Sequence, residues 1–555
     1  MLDGTGSAAR TSDVAVTDGI VTGVGRVEGR AVQELDADGL LVTPGFVDIH
    51  VHYDGQATWD DRLIPSSWHG VTTVVAGNCG VGFAPVRPAD HDRLIQLMEG
   101  VEDIPGAALH EGLPWTWQSF PEFLDALDDR PYDVDLATQV PHGAVRLHVM
   151  GERGAAREMA TPDDVAAMAT LARQGIEAGA LGFSTSRTRN HRSSNGDLTP
   201  TLTADADELI GIATEIGRTG TGVLQVVSDF DDVDAEFGLF RSMAEASGRP
   251  LSFSLAGVVE ASWRRQLELL ERANAEGVPM RGQAAARAIG ILLGLQCTLN
   301  PLLTNPVWRK ISSLPVAEQV RIMADPAFKQ RVLDAAAGQG RGVLSGFDRM
   351  FELGDPPDYE PDAATSIEAR AAREGRDPLD LAYDLLIQDE GRTFLYGPII
   401  NWFDGSLDGV GEMLAHEHTV PGLSDGGAHV GTICDASFPT TLLSLWGRDR
   451  DRGRLELPYL VRQQTRDTAE TVGLLDRGVL APGYRADVNL IDFETLRPRR
   501  PEMRHDLPAG GKRLLQRADG YVATVVKGQV TYEAGQPTEA LPGRLIRGGR
   551  PAPVR

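Results

Sequence analysis

Across residues 45–425 the sequence alternates strand-like and helix-like stretches, and few folds accept so long an alternation. The strand-like stretches are 46–52, 71–77, 135–140, 180–186, 222–228, 250–256, 278–283, 394–400 and 420–425. Helical stretches lie between several of them. One, Pro162–Ala178, opens with Thr161 as N-cap and Pro162 in the first turn. Others span 204–218, 234–247 and 261–276. Repeated β-α units of this number predict an α/β chain closed into a TIM-like (β/α)8 barrel. Nine stretches compete for eight places, and 135–140 and 180–186 are expected to contend for one of them.

Short β-like runs occupy both ends of the chain, over 13–42 and 486–530. Neither group can cover its own apolar face. The expectation is a small composite β-sandwich domain built from 1–43 and 480–555, beside a barrel domain over 44–479. The segment 289–354 breaks the alternation with Pro301, Pro306, Pro315 and Pro326 among helical stretches. It is expected to be a helical insertion over one end of the barrel, a lid or substrate wall.

The charge balance narrows the partners. Lys plus Arg is 53 against 79 Asp plus Glu, a net charge of −26. That field has the wrong sign for a general nucleic-acid binder or an anionic membrane face. Three cysteines, Cys79, Cys297 and Cys434, make no disulfide framework. No apolar run reaches membrane-spanning length, and the first residues carry no basic n-region with an apolar h-region. A cytoplasmic protein acting on a small molecule is expected, and a homo-oligomer is compatible with this composition.

The strongest chemical signal is Thr43-Pro44-Gly45-Phe46-Val47-Asp48-Ile49-His50-Val51-His52. A strand alternates its faces, so His50 and His52 point the same way at its C-terminal end. Two imidazoles beside a barrel mouth are a natural pair of zinc ligands; the alternative is two unrelated loop histidines. The second signal is Ser424-Asp425-Gly426-Gly427-Ala428-His429, after the last strand. Asp425 there can bind a metal and take a proton from water, although such a run also suits a plain turn. His429 is a catalytic donor or a histidine capping loop backbone. Arg187 and His191 end another strand and could bind a substrate carboxylate, or pair with the acidic surface. Arg281, Gln283 and Asn401 are further expected pocket residues.

In these motifs the chain resembles the amidohydrolase superfamily. Asn78-Cys79-Gly80 after the second strand, and the tail 478–487, narrow the resemblance to the D-aminoacylase branch, the N-acyl-D-amino-acid deacylases. The resemblance implies an amidohydrolase barrel that hydrolyses a C–N bond with metal-activated water. It carries metal ligation onto His50, His52, Asp425 and Cys79, and the general base onto Asp425. The chain departs from the family in lacking two further histidine ligands. No histidine lies between His191 and His416, and the strands at 250–256 and 279–284 offer Ser, Gln and Arg instead. No lysine falls on an expected barrel strand. One zinc per chain is therefore expected. The leading activity is deacylation of an N-acyl-D-amino acid. The alternatives are hydrolysis of a cyclic or natural-product amide, a non-hydrolytic lyase reaction, and a metal-poor homologue that binds a ligand without hydrolysis.

Overall fold

The computed structural model describes residues 1–337, 344 and 346–554. Eight parallel strands form the central sheet: β1 (Phe46–Asp48), β2 (Val71–Ala76), β3 (Asp135–Pro141), β4 (Gly182–Arg187), β5 (Val223–Ser228), β6 (Leu251–Leu255), β7 (Met280–Ala284) and β8 (Thr419–Pro421). They neighbour one another in chain order. β2 reads Val-Thr-Thr-Val-Val-Ala and is buried throughout, as a strand covered on both faces must be.

Closure happens just past the ends of β1 and β8. Val51 and Gly426 form a parallel bridge. Asp425 N donates to His50 O at 3.0 Å, and His52 N donates to Gly426 O at 2.8 Å. The sheet is thus a barrel whose closing seam runs through the two sequence motifs with the strongest chemical signal.

Helices follow the strands where their caps allow. Thr161 and Asp164 form a reciprocal capping box at the start of Pro162–Ala178, and Gly179 ends it in the left-handed conformation. Asp205 and Asp232 cap the helices Ala206–Gly217 and Val233–Ser247. Their apolar faces, with Leu209, Ile212, Phe240 and Met243, pack against Phe183, Val226 and Phe253 of the barrel.

Both contending stretches, 135–140 and 180–186, are barrel strands. The surplus one is Leu395–Ile400, which pairs antiparallel with Ile289–Leu293 and Phe351–Glu352 in a separate sheet. An apolar run of this length looks the same whether a barrel or a satellite core covers it. The inserted body between β7 and β8 has its own core, including Leu293, Trp308, Phe328, Val332, Tyr383 and Leu395. It carries the helices Val316–Met323 and Pro326–Ala336 and runs on past Gly354 to Leu395–Ile400. Residues 338–343 and 345 of the expected insertion lie outside the described residues. The body touches the barrel mouth through Thr298, whose N donates to Gly431 O at 3.0 Å and whose Oγ1 donates to Asp103 Oδ1 at 3.2 Å.

The two ends of the chain share one sheet. Leu41–Pro44 pairs with Val488–Ile491, which pairs in turn with Tyr521–Val526. The hairpin Asp13–Thr17/Ile20–Gly25 lies against it, with Val21, Val42, Val488, Leu490 and Val525 in a common core. Among the described residues no helix is long and apolar enough to cross a membrane.

Candidate functional site

His50 and His52 follow β1 and are buried. His50 Nδ1 lies 2.7 Å from Gln283 Oε1, and Gln283 Nε2 donates to Ser252 Oγ at 3.0 Å. An amide oxygen only accepts, so Nδ1 carries the proton and Nε2 keeps a free lone pair. That Nε2 faces Cys79 Sγ at 3.3 Å and Asp425 Oδ1 at 3.5 Å. His52 Nε2 stands 3.7 Å from the same Asp425 oxygen. One donor atom each from His50, His52 and Cys79 falls within 4.8 Å of the others.

Local backbone holds these groups. Cys79 has φ 55°, the left-handed turn that brings its thiol back over the barrel. Its N donates to Gln225 Oε1 at 3.0 Å. Asp425 is also left-handed, at φ 50°, and so is His429, at φ 49°. Asp48, at the base of the motif, accepts from His50 N and from the Ser424 hydroxyl, tying the two motifs together.

Electrostatically the site is starved of positive charge. Burial pushes the Asp425 carboxyl up to about 6, with His429 partly opposing it. Burial pushes Asp54 up to about 7, and one of its oxygens has no partner. Burial, Asp425 and Asp54 together raise Glu102. Burial lowers His50 to about 4, and burial with His429 and His50 nearby lowers His191 to about 3. The imidazoles are neutral bases, and burial raises the carboxyl groups that face them.

Glu102, the last residue of α1 (His91–Glu102), is the residue that sequence reasoning missed. Its signal was present. Leu94, Met98, Val101 and Glu102 follow helical spacing on one buried face, so a glutamate stands where an apolar residue is expected.

Several expected pocket residues have other work. Arg187 is engaged by the protein itself: its Nε and Nη2 both donate to Glu236 at 2.8 Å. Its companions in that loop, Arg189 and Arg192, are held by Asp231 and by Gly196 O. Arg281 sits near the start of β7, one turn of the pleat below Gln283, at the end of the strand away from the mouth. Gln283 reaches the site through His50 rather than as a free pocket wall. Asn401 is fully buried and accepts from Gly257 N at 3.0 Å, fastening the inserted body to the loop after β6. His191 does reach the site, with Nδ1 3.0 Å from Ser186 Oγ. His429 keeps 32% of its side chain exposed at the mouth.

One consequence is testable now. Arg187→Ala removes a paired, half-buried guanidinium, so it should cost about 2 kcal/mol of stability. It should leave KM within about twofold of wild type. Thermal melting and steady-state kinetics check both, and a large rise in KM would return Arg187 to the pocket.

A parallel barrel with imidazoles, a thiol and carboxylates converging where its strands end is the architecture of a barrel enzyme. Residues 33–532 match the amidohydrolase family, and the chain belongs to that family. It is a hydrolase of carbon–nitrogen bonds other than peptide bonds, of the D-aminoacylase branch. It is 33% identical to the D-aminoacylase of Alcaligenes xylosoxydans xylosoxydans over 503 residues, 89% of this chain and 87% of that one. A crystal structure of D-aminoacylase superposes with a TM-score of 0.65 at 23% identity, covering 99% of this chain and 98% of the other. The N-acyl-D-glutamate deacylase of Bordetella bronchiseptica, solved with zinc and a phosphonate inhibitor, gives 0.65 at 22% identity, covering 98% and 97%.

Proposed function

We propose that the chain is an N-acyl-D-amino-acid deacylase that works with one zinc ion. The observation carrying this is the meeting of His50, His52 and Cys79 donor atoms within 4.8 Å, with Asp425 Oδ1 beside both imidazoles. Two neutral nitrogens, a thiol and a carboxylate suit zinc better than a hard, oxygen-seeking cation. The unpartnered buried oxygens of Asp54 and Glu102 fit a site built around positive charge. His50, His52, Cys79 and Asp425 would hold the ion. When bound, zinc supplies Lewis acidity and a water acidified towards a pKa of about 7.

The chain's own groups do the rest. Gln283 fixes His50 in one tautomer. Asp425 accepts the proton of the attacking water and delivers it to the leaving nitrogen, so the amide and water become a carboxylic acid and an amine, which exchange a proton to leave as carboxylate and ammonium. His429, neutral and at the mouth, donates to the oxygen that becomes negative in the tetrahedral state. His191, held by Ser186, borders the same space.

The engaged state of Arg187 favours a second reading: an amide substrate with no carboxylate near that loop, such as a cyclic amide. A panel of N-acyl-D-amino acids, N-acyl amines and cyclic amides separates the two. Deacylation of D-configured acyl amino acids with release of the free amino acid is expected; turnover of the neutral amides alone would overturn it. Elemental analysis should find about one zinc per chain. Chelation should remove turnover and added zinc should restore it. Full activity in the chelated protein would sink the mechanism.

A further inference from the structure

We propose that Glu102 is the positioning carboxylate of this centre: it takes the Nδ1–H of His52 and turns His52 Nε2 towards the cation. The proposal rests on the reading of His50, His52 and Cys79 as zinc donors and adds a residue to it.

Glu102 is 1% exposed, and neither carboxylate oxygen has a hydrogen-bond partner. A buried carboxylate left alone costs several kcal/mol. Two nitrogens stand within reach, His52 Nδ1 at 3.3 Å from Oε1 and His429 Nε2 at 3.6 Å from Oε2. His52 Nδ1 is itself buried without a partner. An imidazole that gives its Nε2 lone pair to a cation must carry its proton on Nδ1, and that proton needs an acceptor. Glu102 Oε1 is the acceptor the fold provides.

The position of Glu102 is itself fixed. Its backbone carbonyl accepts from His429 N. The next residue, Asp103, turns left-handed at φ 51° and accepts from Gly431 N and Thr298 Oγ1. Both metal-facing histidines are therefore backed, but by different groups. His50 leans on the neutral amide of Gln283, and His52 leans on a carboxylate, which makes it the more basic ligand. The other Glu102 oxygen stands 3.6 Å from His429 Nε2.

The test uses the full-length chain as wild type, E102Q and E102A, with zinc as the probe. Zinc affinity is read by competition with a chromophoric chelator, its ligand set by X-ray absorption, and folding by thermal melting with and without zinc. Both variants should bind zinc about 10–100-fold more weakly with an unchanged ligand set. Without zinc E102Q, which keeps the shape of Glu102, should melt close to wild type, and E102A lower because it leaves a cavity; zinc should then raise the Tm of both by less than it raises that of wild type. E102Q is isosteric and guards against a folding failure of E102A. Wild-type zinc affinity in the folded variants would overturn the proposal while leaving the deacylase reading intact. Loss of an oxygen from the zinc's own ligand set would make Glu102 a ligand and overturn it too. A wild-type chain that binds no zinc would overturn the reading of the site itself, and this proposal with it.

Discussion

Asp425→Asn should lower turnover of a cleaved N-acyl-D-amino acid by about 10²–10⁴-fold. Asparagine has the same shape and tolerates the left-handed backbone that Asp425 adopts at φ 50°. The main-chain bond from residue 425 N to His50 O is untouched by the change, so the seam of the barrel should persist. What disappears is the oxygen that can take a proton. Asp425 suits that task because the site keeps its carboxylate within 3.5–3.7 Å of both imidazoles, beside the water it would deprotonate. The measurement is kcat alongside circular dichroism of the variant. A folded variant with wild-type kcat would remove Asp425 from proton transfer.

Replacing His50 and His52 together with alanine should bring bound zinc to background and abolish turnover. Two of the three clustered donors vanish in that variant. Cys79 and Asp425 alone leave the ion two protein donors short, too few for a stable zinc site. Both rings are buried, so circular dichroism must show that the double variant is folded before its zinc content is read. Elemental analysis of the purified double variant decides the matter. Full zinc content would mean that other donors carry the ion and that the two histidines serve another purpose.

How much of this was legible in the sequence depends on how local each signal is. The β1 motif and the Ser424–His429 run could be read because strand alternation and turn chemistry act over a few residues. The closure of the barrel then brought them together as expected, with Asp425 bonded to His50. The ion pair of Arg187 could not be read, because its partner, Glu236, lies on a separate helix. No short-range rule reports that pairing. Leu395–Ile400 was assigned to the barrel because apolar strands look alike whichever core covers them. Glu102 shows the reverse case. A charge on the buried stripe of an amphipathic helix is a local signal, but its meaning lies in His52 and His429, supplied by the two edges of the seam.

That seam also sets an order in time. Ribosomal synthesis delivers His50, His52 and Cys79 early, but the carboxylate at 425 emerges only after the inserted body between β7 and β8 has been made. The backbone bonds that lock Asp425 beside His50 are the same bonds that close the cylinder. A chain truncated before the last strand therefore lacks both the seam and the carboxylate, because closing the cylinder and setting Asp425 beside His50 are one event.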